Sequence, residues 1–378
     1  MIESNTMVGT GTGMKVACSQ DELAQKLAVV SRAVSTRASV QILSGILLRA
    51  EAGRLHLAAT DMELSLRSSL DAEIDGEGAV VVPGRLLVDL VRLLPESEVT
   101  IEQRVDEGVV HVACGPSSAS LNTYAAEDFP RLPDLDAVGT FTVDREVLLD
   151  TVSRVARSAS RDESRPVLTG ILVRFESGTL VMAATDSYRL SVKETAFPGE
   201  APDFEAIIPA RALGELGRIA QSGDTVELGV HENQVVFAAD DAWLTTRRID
   251  GQFPNYKQLL PESFEHEVTL SRNELLDVVR RVGVLVQRTS PIQLRFAEGE
   301  LRVLARTQDV GEAQETLPVA FSGEPLEIGF NADFLREGIE SITADEVRMR
   351  LISPLRPAVI DGSPDDPTYL IMPIRLPG

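Results

Sequence analysis

Cysteine is nearly absent from this 378-residue chain, which carries only Cys18 and Cys114. No CxxC pair exists and no histidine stands at zinc spacing, so a disulfide framework and a cysteine-built zinc site are both excluded; the two thiols are expected to be reduced, in a cytoplasmic protein. Aromatic residues make up 4%, so the cores must be built mainly from Leu, Val, Ile and Ala. No run approaches the roughly 18 apolar residues of a membrane-spanning helix, and no membrane association is expected. Residues 1–13, MIESNTMVGTGTG, have neither a basic region nor an apolar run; they are expected to be a short disordered tail and not a secretory signal. Positive charge is also scarce, with 58 acidic against 36 basic residues and a net charge of −22. Taken alone, this opposes nucleic-acid binding, which needs local positive charge against phosphate. The objection weakens if the positive charge is gathered on one surface.

Catalytic signatures are missing as well. None of His56, His111, His231 and His266 sits in an HExxH pattern, and Val235 occupies the place of a second ligand after His231-Glu232. No GxxxxGK[ST] phosphate loop and no GxSxG elbow occurs, and the glycines at 9, 11 and 13 follow no strand. No cofactor, no metal and no catalytic residue is therefore expected. An acidic carboxylate-based hydrolase stays open only as a class, because nothing selects a pair among the acids.

What the chain does have is internal repetition, which decides the fold before any local detail. SGILLRAEAGRLHLAATDMELSL at 44–66 is answered by TGILVRFESGTLVMAATDSYRLSV at 169–192, at an offset of 125, and more weakly by IQLRFAEGELRVLARTQDV from Ile292. VVPGRLL (81–87) recurs as IIPARAL (207–213) and IGFNADFL (328–335); AEDFPRLP (126–133) recurs as DGQFPNYKQLLP (250–261). A unit of this length can bury its own core. Three similar α+β domains are expected, at 14–138, 139–263 and 264–378. Each would open with a short strand and an amphipathic helix, starting near Ser19, Asp144 and Ser271 in turn. The apolar sets are Leu23, Leu27, Val30 and Val34; Leu148, Val152, Val155 and Ala159; and Leu275, Val279, Val282 and Val286, each on one helical face. Strands with turns at Gly53, Gly178 and Gly299 follow, then a second helix after VPGR or IPAR, then further strands. The plan is two helices and two small antiparallel sheets per domain. The repeated Thr60-Asp61 and Thr185-Asp186 read as strand-end turns, since Thr and Asp side chains bond nearby backbone amides.

Arginine recurs on the helices. Arg85 and Arg92, Arg211 and Arg218, and Arg281 and Arg288 lie seven apart, and Arg154, Arg157 and Arg161 lie at i, i+3 and i+7. Such spacings align side chains on one face, here opposite the apolar stripe and so expected in solvent. Asp150, Glu215 and Asp277 share these helices, as an ordinary solvated face would have it. Acidic runs fall elsewhere, at 71–78, 239–242 and 363–367, so basic helices on one surface and acidic loops on another are permitted.

In that order, ATDSYRLSV, DGQFPNYKQLLP, IGFNADFL and the terminal YLIMPIRL resemble the bacterial DNA polymerase III beta subunit, the sliding-clamp family, over residues 14–378. The resemblance implies three clamp domains in a row and a head-to-tail homodimer closing a ring, with sheets outside and helices lining the hole. Duplex DNA would be held without sequence preference, through backbone contacts, and the chain would not be an enzyme. The implied DNA-facing residues are Arg37, Arg85, Arg161, Arg165 and Arg211. A peptide pocket is implied at Leu168, Thr185, Ser187, Tyr188, Leu190, Pro254, Gln258, Leu259, Asn331, Phe334, Leu355, Leu370, Met372, Pro373, Ile374, Arg375 and Leu376. It would receive short segments of the polymerase III catalytic subunit, the clamp loader, and other polymerases and repair proteins. Dimer contacts are implied around Ala119, Leu121, Val284 and Leu285. The chain departs from the family where Ser187-Tyr188 replaces a familiar Gly-His pair, where Gln258 replaces an occasional Arg, and where Ala119 replaces an aromatic. A peptide-binding scaffold that never encircles DNA is the alternative.

Overall fold

The structure is a computed structural model describing residues 13–35, 40–133, 139–197, 203–231, 233–287, 290–307 and 310–376. Arg37, Arg288 and most of the N-terminal tail fall outside these ranges. Seven α-helices are present among the described residues: α1 (Gln20–Val30), α2 (Gly84–Leu93), α3 (Arg145–Val155), the single-turn α4 (Pro166–Thr169), α5 (Ala210–Ile219), α6 (Arg272–Gly283) and α7 (Ala332–Glu340).

The helices begin where local chemistry sets them. Asp144 caps α3 by accepting from the Val147 amide at 2.9 Å, and Asn331 caps α7 through Phe334 at 3.0 Å. Each cap satisfies an amide that has no partner inside the helix. The expected apolar stripes are buried at Leu23, Leu27 and Val30, at Leu148, Val152 and Val155, and at Leu275, Val279 and Val282. The fourth member of each set departs from expectation. Val34, Ala159 and Val286 lie past the helix ends and are only half-buried. In the first two repeats the chain tightens into a 3₁₀ turn at Ser31–Ala33 and Ala156–Ser158, which rotates the next residue off the α-helical stripe.

Packing divides the chain into two compact units, one of residues up to Thr142 with Glu215–Arg247, the other of Val143–Gly214 with the remainder from Arg248. In the first unit a five-stranded sheet runs Glu73–Gly76, Lys15–Ser19, Glu98–Arg104, Val109–Cys114, Ser117–Asn122. A second sheet there runs Thr225–His231, Gln234–Ala239, Ala242–Arg247, Leu64–Asp71, Arg54–Thr60, Gly45–Glu51, Gly78–Pro83. In the second unit an eight-stranded sheet runs Phe204–Pro209, Gly170–Glu176, Thr179–Thr185, Arg189–Ala196, Thr368–Ile371, Ala358–Asp361, Glu346–Leu351, His266–Ser271. A four-stranded sheet closes it, ordered Gly311–Pro318, Glu300–Thr307, Ile292–Ala297, Leu326–Phe330.

The small sheets expected inside each repeat are thus joined across repeats. Ala242–Arg247 pairs with Leu64–Asp71, placing Leu244 opposite Leu66, and Thr368–Ile371 pairs with Arg189–Ala196, placing Leu370 opposite Leu190. Joining covers strand edges that would otherwise expose unpaired backbone groups. The third repeat carries a contiguous core around Phe296, Phe330, Leu335 and Tyr369. Gly338 on α7 admits the Tyr369 ring, since a Cβ there would lie 2.5 Å from a ring carbon.

Candidate functional site

The residues implied for a peptide pocket all lie in the second unit, where Leu190 faces Leu370 across a strand pair. Those two side chains join Leu172, Val181, Tyr256 and Val359 in a buried apolar floor. One lip is the turn 185–189. Thr185 Oγ1 accepts from the Ser187 amide at 3.2 Å and donates to the Arg189 carbonyl at 2.7 Å. Asp186 Oδ1 accepts from the amides of Tyr188 and Arg189 at 2.9 and 3.1 Å. The Thr-Asp pair therefore works as a backbone clamp, as its twin does at Thr60-Asp61 with the amides of Met62, Glu63 and Leu64. Ser187 and Met62 share a left-handed backbone, with φ of 78° and 79°.

The opposite lip is the C-terminal segment. The Met372 amide donates to the Tyr188 carbonyl at 2.9 Å, and the Ile374 amide donates to the Gly329 carbonyl at 2.7 Å. Gly329 lets this segment approach closely: a Cβ there would lie 3.0 Å from the Ile374 carbonyl oxygen and 2.6 Å from Leu376 Cδ2. Asn331 and Phe334 open α7 just beyond, Leu168 is buried on α4, and Leu355 lies in the turn before Ala358–Asp361. Pro254, Gln258 and Leu259 sit on the segment whose Tyr256 enters the floor. Around this floor Tyr188 is 63% exposed, Leu355 60%, Leu259 50% and Met372 41%. Large apolar side chains left in water beside an apolar floor make this a candidate binding surface. Pro373 and Leu376 are half-buried, and Arg375 is exposed.

Sequence reasoning missed Arg189. It is buried at 8% exposure beneath this lip, with its guanidinium 4.2 Å above the Phe334 ring. Its Nε donates to Asp186 at 3.0 Å, and its other nitrogens reach Glu337, the Arg157 carbonyl and Tyr369. Burial opposes its charge, but Tyr369 and Glu337 more than offset this and hold its pKa above the usual arginine value. Apart from Asp186, three residues before it, its partners are far away in sequence, so only its place beside the Thr-Asp turn could have drawn attention to it.

The arginines implied for DNA contact divide. Arg85 on α2 and Arg161 after α3 are exposed and make no ion pair among the described residues. Arg211 on α5 is exposed too. Arg165 is exposed but engaged, donating to Asp162 at 3.4 Å and Ser187 at 3.0 Å. The reading of Arg154, Arg157 and Arg161 as one solvated helix face needs correction: Arg157 and Arg161 are exposed but lie past the end of α3, and Arg154 is not exposed. Arg154 turns into the protein, onto Asp150 at 2.8 Å and the fully buried Asp366 carboxylate at 2.8 Å. Arg157 pairs with Glu340 at 2.5 Å, and Arg281 with Glu315 at 2.7 Å. Of the implied dimer residues, Ala119 and Leu121 lie on the outermost strand of the five-stranded sheet; Val284 is 79% exposed after α6, with Leu285 half-buried beside it.

Comparison with known proteins decides the family. DNA polymerase III beta subunit profiles match in order along the chain: the N-terminal domain at residues 14–133, the central domain at 142–255 and the C-terminal domain at 257–375. The chain belongs to the DNA polymerase III beta subunit family. The beta sliding clamp of Streptomyces coelicolor is 35% identical over 380 residues, spanning 97% of this chain and 100% of the relative. The sliding clamp of Caulobacter crescentus superposes with a TM-score of 0.91 at 30% identity, over 96% of this chain and 100% of that one. The DNA polymerase III beta subunit of Pseudomonas aeruginosa, solved bound to griselimycin, gives 0.88 at 28% identity, over 96% and 100%. Among the described residues no helix is long and apolar enough to cross a membrane, and no cluster of three or more metal-ligating side chains occurs.

Proposed function

We infer that this chain is a DNA sliding clamp, a processivity factor that encircles duplex DNA and tethers the replicative polymerase. The observation that carries the reading is the ordered match of all three beta-subunit domains from residue 14 to 375. The repeats at 14–138, 139–263 and 264–378 serve as three clamp domains. Two copies close a ring head to tail, the Ala119–Leu121 edge of one meeting the Val284–Leu285 region of the other. An outermost strand with unpaired backbone groups is suited to such pairing.

Arg37, Arg85, Arg161, Arg165 and Arg211 face phosphate. Contacts to phosphate carry no sequence information, which suits a protein that must slide. Retention is then topological, and individual contacts can be weak and salt-sensitive without loss of the ring. The groove at 185–190, 254–259, 331–334 and 370–376 takes short peptide segments from the polymerase, the clamp loader and repair proteins. Met372 supplies an adaptable surface for several related sequences. The protein acts in the cytoplasm, without a cofactor and without catalysing a reaction.

The test is retention on nicked circular DNA, loaded by the cognate clamp loader and ATP, before and after the circle is cut. Retention through high salt on circles and loss on linear DNA is the expected result. Equal loss from both, with a loader active on a control clamp, would overturn encirclement and favour the peptide scaffold.

A further inference from the structure

The loop after α3 joins the two sites. The Ser160 amide donates to the Leu168 carbonyl at 2.8 Å, and the Leu168 amide to the Arg165 carbonyl at 3.0 Å, so residues 160–168 form one bonded unit. Asp162 organises it, its Oδ1 accepting from Ser164 N at 3.0 Å and Ser164 Oγ at 2.7 Å. Ser164, through these bonds, holds the Asp162 carboxyl below the usual carboxylate range. Leu168, at one end, lines the groove. Arg165 sends Nη1 to the Ser187 hydroxyl at 3.0 Å and Nε to Asp162 at 3.4 Å.

We propose that Arg165 is a positioning residue for the peptide groove as well as a phosphate contact, and that through Ser187 it makes peptide binding respond to DNA. The inference rests on the groove and phosphate surface assigned above. Ser187 holds a left-handed backbone that glycine would adopt freely, yet it supplies a hydroxyl that glycine lacks. That hydroxyl gives Arg165 its hold on the lip that carries Tyr188. A lip held in place spares an incoming peptide the cost of ordering it.

A phosphate prefers two parallel guanidinium donors. Asp162 holds Nε and Ser187 holds Nη1, so a phosphate that draws the guanidinium toward itself strains these two bonds. The Ser187 hydroxyl is the neutral one and is released more easily than the Asp162 carboxylate. Duplex DNA at Arg165 therefore frees the lip and weakens peptide binding.

The test is calorimetric titration of the full-length dimer with griselimycin, the compound bound to the Pseudomonas aeruginosa relative and taken in this proposal to occupy the groove, with and without a short blunt duplex. Arg165→Ala and Ser187→Ala are each expected to weaken griselimycin about three- to tenfold, the range of one charge-assisted hydrogen bond in partial solvent. The double variant is expected to lose no more than the weaker-binding single one. Duplex is expected to lower griselimycin affinity for the unsubstituted protein and to leave that of Ser187→Ala unchanged. Additive losses, unchanged affinity in both single variants, or an equal duplex effect in Ser187→Ala would each overturn the proposal while leaving the groove assignment intact. If the unsubstituted protein does not bind griselimycin at all, the groove assignment itself fails, and this proposal with it.

Discussion

Replacing Asp366 with Asn should destabilise the second unit by a pH-dependent amount that can be worked from the structure. The carboxylate is fully buried. Oδ1 accepts from Thr343 N at 2.7 Å, Thr343 Oγ1 at 2.8 Å and Arg154 Nη1 at 2.8 Å. Oδ2 accepts from Ser363 N and Ser363 Oγ at 2.9 Å and from Ala344 N at 3.2 Å. Burial pushes the pKa up, but the bonds from Thr343 and Ser363 more than offset it, bringing the value from 3.8 to about 2. That depression corresponds to about 2 kcal/mol of folding stability. Because the folded value is depressed, the contribution is complete above the unfolded pKa near 4 and is lost as pH falls through about 2. Asn matches the shape but turns an amide N–H toward donors and leaves Arg154 with Asp150 as its one carboxylate partner among the described residues. Urea unfolding followed by circular dichroism should give a loss of about 2–4 kcal/mol at pH 7. The gap between variant and unsubstituted protein should narrow as pH falls from 4 to 2. Equal midpoints at pH 7, or a gap constant with pH, would refute the reasoning.

Arg189→Met should cost about 3 kcal/mol or more by leaving the carboxylates of Asp186 and Glu337 without their shared partner, read as a lower urea midpoint at pH 7. Gly329→Ala should push the 372–376 segment from its seat, because the new Cβ crowds the Ile374 carbonyl oxygen at 3.0 Å as well as Leu376 Cδ2 at 2.6 Å; faster hydrogen exchange at the Ile374 amide and weaker griselimycin binding are expected, with little change in melting temperature. The Cys18 thiol, pushed up to about 12 by burial and then by Glu22 and Glu98, should resist iodoacetamide at neutral pH in the folded protein and react once urea unfolds it. Arg85→Glu with Arg211→Glu should weaken duplex binding and flatten its dependence on salt, measured by fluorescence anisotropy across a salt series.

Much of the local structure around the candidate site was legible because its signals are local. The Thr-Asp pairs read as turns, and both clamp the amides that follow. Asp144 and Ser271 read as helix starts, and both accept a bond from the amide three residues on, at 2.9 and 3.5 Å. Arg154 was not legible. Its spacing with Arg157 matched a solvated face, and nothing nearby in sequence announced a buried carboxylate 212 positions away.

By itself the sequence determined the threefold repetition, the apolar stripe of each first helix, the strand-end turns and the motifs that identify the family. Each depends on periodicity or on contacts a few residues long, which the order of side chains encodes directly. Tertiary structure alone decided which strands pair across repeats, since alternation marks a buried face and says nothing of the neighbour. It decided that Arg189 and Arg154 are structural ion-pair centres, because a buried charge is stable only where distant partners converge on it. It also joined Arg165 to Ser187, 22 residues apart, through a single side-chain hydrogen bond that neither residue's local pattern reveals.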